Sequence, residues 1–322
     1  MKFAVLADPL DAFHIYKDTT YAMMLEAASR GHELYTFEQH ELSCRGGRIL
    51  ARVSRVHFTG DREQWFRKDE SKVVYLNVSD AVLMRKDPPF DMEYIYSTYL
   101  LEMAERQGAR VYNSPAAIRN QNEKLSILEF NQFTVPTTVS RDSADLRAFH
   151  AEHQDVIFKP LDGMGGMGIF RVCSDGLNLG AILETLTDNG TRTIMAQRYI
   201  PEIVEGDKRV LLIGGEVVPY CLARVPQHGE VRGNLAAGGR GEARELTQRD
   251  RDIAQALAPT LFDRGLLLVG LDIIGDYLTE VNVTSPTCFQ EIGNQTGFDV
   301  AGMFIDALES TANPGVAMYK SA

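Results

Sequence analysis

Glu280 and Asn282 stand two residues apart in the run GLDIIGDYLTEVNV (270–283), so on a strand both side chains leave the same face. Asp272 interrupts the otherwise apolar strand that precedes them. Oxygen donors of this kind suit Mg²⁺, which takes one or two carboxylates and leaves its other positions to substrate phosphates. Turn parity decides whether the three meet. Asp272 shares the face if the hairpin loop holds an odd number of residues, such as 275–277. A strict two-residue Gly275-Asp276 turn would instead set Asp272 opposite Thr279.

A second signal concerns phosphate. The stretch DGMGGMG (162–168) satisfies G-x-G-x-x-G, but the strand-like IFRV (169–172) follows where a dinucleotide fold requires a helix. The glycines therefore form a hairpin tip, whose bare N–H groups can approach phosphate oxygens closely. Lys159, at the end of an apolar strand, would add a cation beside it. Arg209, within Asp207-Lys208-Arg209, and Arg224 carry forked donors suited to a phosphoryl group in transfer. Arg85 follows the strand over 81–84, and ligands of open parallel sheets gather beyond the carboxyl ends of strands, so Arg85 is a candidate receptor for a substrate carboxylate. The irregular segment 226–242 holds Gly229, Gly233, Gly238, Gly239 and Gly241 with Arg232 and Arg240, the composition of a lid over an anion. His150 and His153 lack a third ligand and read as solvated surface. Cys288 has no adjacent histidine and reads as no nucleophile.

The elements that must position these residues fall into two styles. Up to about residue 120, strands over 3–7, 33–37, 81–84 and 110–112 alternate with helices over 20–30 and 92–107, the order that builds a parallel sheet. A hairpin after Gly46-Gly47 is inserted among them. Beyond a boundary near 114–123 come a helix over 144–153, strands over 156–159 and 169–172, a helix over 181–187 and a strand over 193–197. Two hairpins follow, 209–213 with 217–222 and 267–274 with 278–283, an antiparallel α+β pattern.

Composition narrows the function classes. With 33 basic against 44 acidic side chains the formal charge is −11, spread along the chain, which excludes a basic nucleic-acid stripe. No apolar run reaches the ~20 residues of a membrane span, and no secretory signal opens the chain. Four scattered cysteines without a C-x-x-C pair point to a reducing cytoplasm rather than to disulfides or zinc.

The chain resembles the bacterial glutathione synthetases of the ATP-grasp superfamily. The matching stretches are MRKDPPFD (84–91), NEKL (122–125), KPLDGMGG (159–166), GDKRVL (206–211), PYCLARVPQ (219–227), RGNLAAGGRGE (232–242), VGLDIIGD (269–276) and TEVNVTSPTC (279–288), with KDT (17–19) as a substrate-side motif. Together they span nearly the full length. Gly168 departs from relatives that carry serine after the preceding position, and 313–322 holds no assignable motif. The resemblance implies an α/β plus α+β chain: a Rossmann-like parallel-sheet substrate domain (1–122), then an ATP-grasp fold of two α+β subdomains (123–200 and 201–322). It implies ATP held by Lys124 and Lys159, with Gly163, Gly165 and Gly166 over the phosphates. Gln197, Tyr199 and Ile200 would line the adenine pocket, and Asp207 would reach the ribose. Mg²⁺, with Mn²⁺ as an alternative, would sit on Asp272, Glu280 and Asn282. Arg209 and Arg224 would act near the transferred phosphoryl group, and Arg85, Ser285 and Thr287 would contact substrate. The implied reaction joins γ-glutamylcysteine and glycine through an acyl phosphate, in a homo-oligomer, a tetramer in this family. The alternatives are an ATP-grasp ligase for D-alanine or glutamate, and a catalytically silent ATP-binding regulator.

Overall fold

The structure, a computed structural model, describes residues 1–312 apart from 164, 228, 230–232, 234, 236 and 237. Arg232 and the tail 313–322, both singled out above, lie outside the described residues.

The first sheet is built from β1 (Lys2–Leu6), β2 (Glu33–Phe37), β3 (Leu42–Arg45), β4 (Arg48–Phe58), β5 (Phe66–Lys68), β6 (Lys72–Tyr75), β7 (Ala81–Met84) and β8 (Val111–Tyr112). Its order is β3-β4-β2-β1-β7-β8, with β5 and β6 also paired to β4. Strands β2, β1, β7 and β8 are mutually parallel, whereas β4 joins β2 antiparallel. The parallel pattern thus holds at the centre, and the inserted hairpin extends it as an antiparallel edge. Helix α1 (Thr19–Ser29) starts where the Asp18 carboxylate accepts from the Tyr21 N–H at 2.7 Å, a side-chain cap on an orphan donor. Helix α2 (Met92–Arg106) is capped in the same way by Asp91. A short α3 (Pro115–Asn120) leads out of this sheet.

The second sheet is antiparallel, order β11-β10-β12-β9, from β9 (Thr137–Ser140), β10 (Val156–Pro160), β11 (Phe170–Val172) and β12 (Ile194–Arg198). Helices α4 (Ser143–His153) and α5 (Leu179–Thr187) cover it through Leu146, Leu179 and Leu183. His150 is 6% exposed with Nε2 2.9 Å from the Cys173 carbonyl oxygen. The solvated reading of His150 is therefore wrong, because a helix face with polar periodicity also packs against a neighbouring loop.

The third sheet runs β15-β14-β13-β16-β17, all antiparallel, from β13 (Asp207–Ile213), β14 (Glu216–Val225), β15 (Arg240–Glu245), β16 (Leu268–Ile274) and β17 (Tyr277–Asn282). Because β15 already pairs at Arg240 with Val225, the irregular segment ends before 240 rather than at 242. One face of this sheet packs on α6 (Gln248–Asp263) through Ile253, Leu257 and Leu261. Helix α6 has no counterpart among the elements predicted above. Its Thr247/Asp250 capping box and its apolar positions mark it as a helix, while Pro259 inside it works against that reading. Helices α7 (Phe289–Thr296) and α8 (Val300–Ala312) share a core with α1 and β13, through Phe289, Phe304, Met24 and Leu211. That core binds the third sheet to the first, and the space between the sheets opens as one cleft.

Candidate active site

Strand register collects the charged residues on one face. Asp207 and Arg209 are two apart on β13, Arg224 pairs directly with Asp207, and Arg209 pairs directly with Asp272. Asp272 in turn lies across from Glu280, two residues before Asn282. Residues directly opposite share a face, as do residues two apart, so all six side chains lie on one surface of the third sheet.

The hairpin achieves this by an unforeseen route. Its loop is the strict two-residue Gly275-Asp276 turn, with Ile274 paired to Tyr277 and Ile273 to Leu278. Continued regularly, that register would put Asp272 opposite Thr279 and break the site. A register shift between Asp272 and Ile273 leaves Thr279 as the extra residue and restores the Asp272–Glu280 pair. It is a β-bulge, one residue wide. The displaced Thr279 is put to use: its hydroxyl donates to the Asp272 carbonyl at 3.1 Å, and its own carbonyl accepts from Lys159 Nζ at 3.3 Å.

The buried ions are paired. Asp272 accepts from Arg209 Nε at 2.6 Å and Nη2 at 3.2 Å, and Arg224 Nη2 lies 2.9 Å away. Arg224 Nη2 also reaches Asp207 at 2.5 Å. Burial alone would raise the pKa of Asp272, but Arg209 and Arg224 outweigh it and hold the carboxyl well below its usual range. For Asp207 burial wins over Arg224, and its pKa is pushed up to about 6. Burial also brings Lys159 down to about 8, with Glu280 opposing and Lys124 adding to the fall. Lys124 Nζ donates to the Gly163 carbonyl at 2.6 Å and stands 3.0 Å from Glu280 Oε1. The glycine tip is thus tethered to the third sheet through one lysine. Gly165 and Gly166, at φ +64° and +81°, hold a left-handed backbone that other residues adopt at a cost.

A cavity of about 350 Å³ is lined by Lys124, Lys159, Gly163, Gly165 and Gly166, by Gln197, Tyr199, Ile200 and Asp207, by Arg209, Arg224, Asp272, Glu280 and Asn282, and by Ser285 and Thr287. Of the contact residues that the resemblance implies, Arg85 alone is not in that lining, and Arg240, expected in the lid, is exposed on β15 and paired with Glu242. Arg85 is buried behind the 283–287 loop, donating to Thr20 Oγ1 at 3.1 Å and to the Pro286 carbonyl at 3.0 Å. Ser285 Oγ donates to Asp87 Oδ1 at 2.5 Å. From the segment 226–239, Gly233 and Leu235 reach the lining.

A model of the prokaryotic glutathione synthetase N-terminal domain matches residues 1–119, and one of the prokaryotic glutathione synthetase ATP-grasp domain matches residues 123–297. The chain belongs to the prokaryotic glutathione synthetase family. Within this family it is 64% identical to glutathione synthetase of Ralstonia nicotianae over 97% of this chain and 96% of that one. It is 60% identical to the Neisseria meningitidis serogroup A protein of the same name, over 96% and 98%. Its mixed α/β ATP-grasp fold is shared with distant solved structures. The D-cycloserine synthetase DcsG aligns over 96% of this chain and 99% of its own with TM-score 0.68 at 17% identity. The ATP-grasp ligase PsnB, complexed with a minimal precursor, aligns over 96% and 97% with TM-score 0.63 at 22% identity.

For a prokaryotic glutathione synthetase a divalent metal is the expected partner of the phosphates, and the donor set can be tested for it. Among the described residues no group of three or more histidine, cysteine, aspartate or glutamate side chains is arranged to hold an ion. Both Asp272 oxygens are taken by guanidiniums. Glu280 keeps Oε2 outside its Lys124 contact, and Asn282 uses only its amide N–H₂, on the Gly270 carbonyl at 3.2 Å, leaving its oxygen. A carboxylate and an amide oxygen on one face, without an all-protein cage, fit an ion completed by substrate phosphates. Sequence reasoning gave no role to three residues at this site: Asp87, Thr279 and Glu123. Asp87 and Glu123 lie inside the matching stretches RKDPPFD and NEKL, but nothing in their spacing says what they touch.

Proposed function

We propose that this chain is an ATP-dependent ligase that joins γ-glutamylcysteine and glycine into glutathione, with release of ADP and phosphate, through an acyl phosphate formed in this cleft. What carries the reading is that two lysines, two arginines and the Glu280–Asn282 oxygens line one cavity in a chain 64% identical to a glutathione synthetase along nearly its whole length. A carboxylate resists attack by an amine. Its oxygen therefore first attacks the γ-phosphorus, ADP leaves, and the resulting acyl phosphate has a good leaving group. The glycine nitrogen then attacks the carbonyl carbon, the amine loses a proton, and phosphate departs.

The protein's share is positioning and charge. Lys124, Lys159 and the Gly163–Gly166 backbone bind the phosphates, Gln197, Tyr199 and Ile200 the base, and Asp207 the ribose. Arg209 and Arg224, held charged by Asp272 and Asp207, face the transferred phosphoryl group. Ser285 and Thr287 orient the dipeptide, and Arg85 supports their loop from behind. Glu280 and Asn282 would hold Mg²⁺ or Mn²⁺ with Asp272 behind them, and the ion when bound neutralises phosphate charge. A lid over 226–239, about half of it outside the described residues, would exclude water from the acyl phosphate. In this reading 1–122 is the substrate domain, and 123–200 and 201–322 clamp the nucleotide. Four free cysteines, two of them exposed, suit the cytoplasm, and among the described residues no helix is long and apolar enough to cross a membrane. A homo-tetramer is the proposed assembly, testable by light scattering.

The deciding experiment measures phosphate release with ATP and Mg²⁺, giving γ-glutamylcysteine and glycine singly and together. Release that needs both, with glutathione detected by mass, is expected. Release only with D-alanine or another acceptor would overturn the substrate assignment, and ATP binding without turnover would overturn the enzyme.

The Lys159 shift adds a pH signature. A lysine at about 8 is partly neutral at mildly alkaline pH, and a bound polyphosphate favours its charged form. Nucleotide binding at pH 8 to 8.5 should take up roughly half a proton, and affinity should fall as pH rises through this range. Calorimetry in buffers of different ionisation enthalpy measures the uptake. Lys159→Arg should abolish it, and an unchanged uptake in that variant would remove Lys159 from the phosphate site.

A further inference from the structure

Val283 and Thr284 are the first residues after β17, and they set the direction of the loop that carries Ser285 and Thr287. Both are buried, at 0% and 6% exposure. Their two backbone N–H groups have no strand partner, and such orphans must be satisfied locally. One atom does it. Glu123 Oε1 accepts from Val283 N at 2.8 Å, from Thr284 N at 3.0 Å and from Thr284 Oγ1 at 2.9 Å. The backbone of Glu123 is tied to the same strand, its carbonyl accepting from Val281 N at 2.8 Å.

The location gives this clamp its meaning. Glu123 lies between α3 and the second sheet and lines the cleft, next to Lys124, which tethers the glycine tip. On its other side the loop is held by the N-terminal sheet, through Arg85 on the Pro286 carbonyl and Asp87 on Ser285 Oγ. The loop is therefore suspended between two supports. Both supports draw on ionisable partners, and they divide the loop between them: Arg85 and Asp87 hold 285–286, whereas Glu123 alone among the described residues bonds the two N–H groups at the root of the loop.

We propose that Glu123 is a positioning residue for the dipeptide substrate, fixing the 283–287 loop, and with it Ser285 and Thr287, against the transferred phosphoryl group. This rests on the ligase reading above. Glu123 acts through the loop, so its loss alters the dipeptide side and leaves nucleotide binding in place.

Three variants test it in the full-length chain: Glu123→Met, which keeps length and removes the acceptor; Glu123→Gln, which keeps one acceptor oxygen; and Thr284→Val, which removes one donor. The readouts are kcat, KM for γ-glutamylcysteine, and the Kd of a non-hydrolysable ATP analogue. Glu123→Met should raise the dipeptide KM by at least about tenfold with lower kcat, leaving the analogue Kd within about twofold. Glu123→Gln should recover most of the loss, and Thr284→Val should raise that KM by about threefold, the scale of one neutral-donor bond. A dipeptide KM unchanged in Glu123→Met, a parallel loss of analogue affinity, or a fall in kcat alone through a smaller active fraction would overturn the proposal. Should Glu123→Met fail to fold, Thr284→Val decides: an unchanged dipeptide KM there overturns it. Wild-type protein that makes no glutathione would sink the ligase reading instead, so the two failures are distinguishable.

Discussion

Glu280→Gln is expected to lower turnover by about 10²–10³-fold, the scale of losing one charged contact to a transferring phosphoryl group, while the chain stays folded. The carboxylate is 23% exposed and, among the described residues, its ion pair is with Lys124 at 3.0 Å. A glutamine of equal length keeps the β17 strand and the Thr279 bulge, because neither uses the side chain. Lys124 keeps its bond to the Gly163 carbonyl, so the glycine tip stays tethered. What disappears is one negative charge where the metal and the phosphates would meet. Activity should recover in part as Mg²⁺ is raised, and the thermal midpoint should change little. Phosphate release across a Mg²⁺ titration, with circular dichroism on the same samples, measures both. Full turnover at low Mg²⁺ would show that the metal does not rest on β17.

Asp272→Asn should instead damage the fold as well as the chemistry. Asp272 is 2% exposed, and Arg209 and Arg224 both bond to it. Removing the charge leaves two buried guanidiniums, of which Arg224 keeps Asp207 and Arg209 keeps no carboxylate partner among the described residues. Breaking a buried ion cluster from one side costs about 3–5 kcal/mol, and activity should fall below detection because both arginines lose their orientation. The pH dependence has a definite sign. The folded-state pKa of Asp272 is depressed, so its contribution is present above the ordinary carboxylate value of about 4 and is lost as pH falls through the folded value. The stability gap between wild type and variant should be flat near neutrality and shrink below about pH 4. Asp207 runs the other way. Its pKa is raised to about 6, so its contribution belongs to low pH and is lost as pH rises through that value. Denaturant unfolding at pH 7, 5 and 3.5 separates the two. A loss under about 1 kcal/mol at pH 7 would mean the arginines find other partners.

Much of this was legible in the residues. The helices over 20–30 and 92–107, with Gly31 and Gly108 at their ends, and both hairpins of the third sheet were legible, and the strand after Gly168 ruled out a dinucleotide turn. Residue type named the chemistry too: lysines beside a glycine tip for phosphate, and a Glu-x-Asn pair for a hard cation. These signals are local, carried by periods of two or by caps within one turn of a helix, and a linear reading can reach them.

What remained hidden depends on partners far apart in the chain. Turn parity left Asp272 undecided, and with the two-residue turn that forms, only the bulge at Thr279 puts it on the face of Glu280. A bulge is one residue yielding to the packing of a whole sheet, and no nearby residue spells it. Arg209 and Arg224 could be nominated as clamps, but their shared hold on Asp272 required β13, β14 and β16 to lie in register. Arg85 was legible as a residue beyond a strand end, yet the fold turns it onto Pro286, 201 positions away, behind the cleft rather than into it. Glu123 stood inside the matching stretch NEKL, but nothing local said what it touches. Its task is to satisfy two N–H groups about 160 residues later, a need that exists only once tertiary packing has buried them.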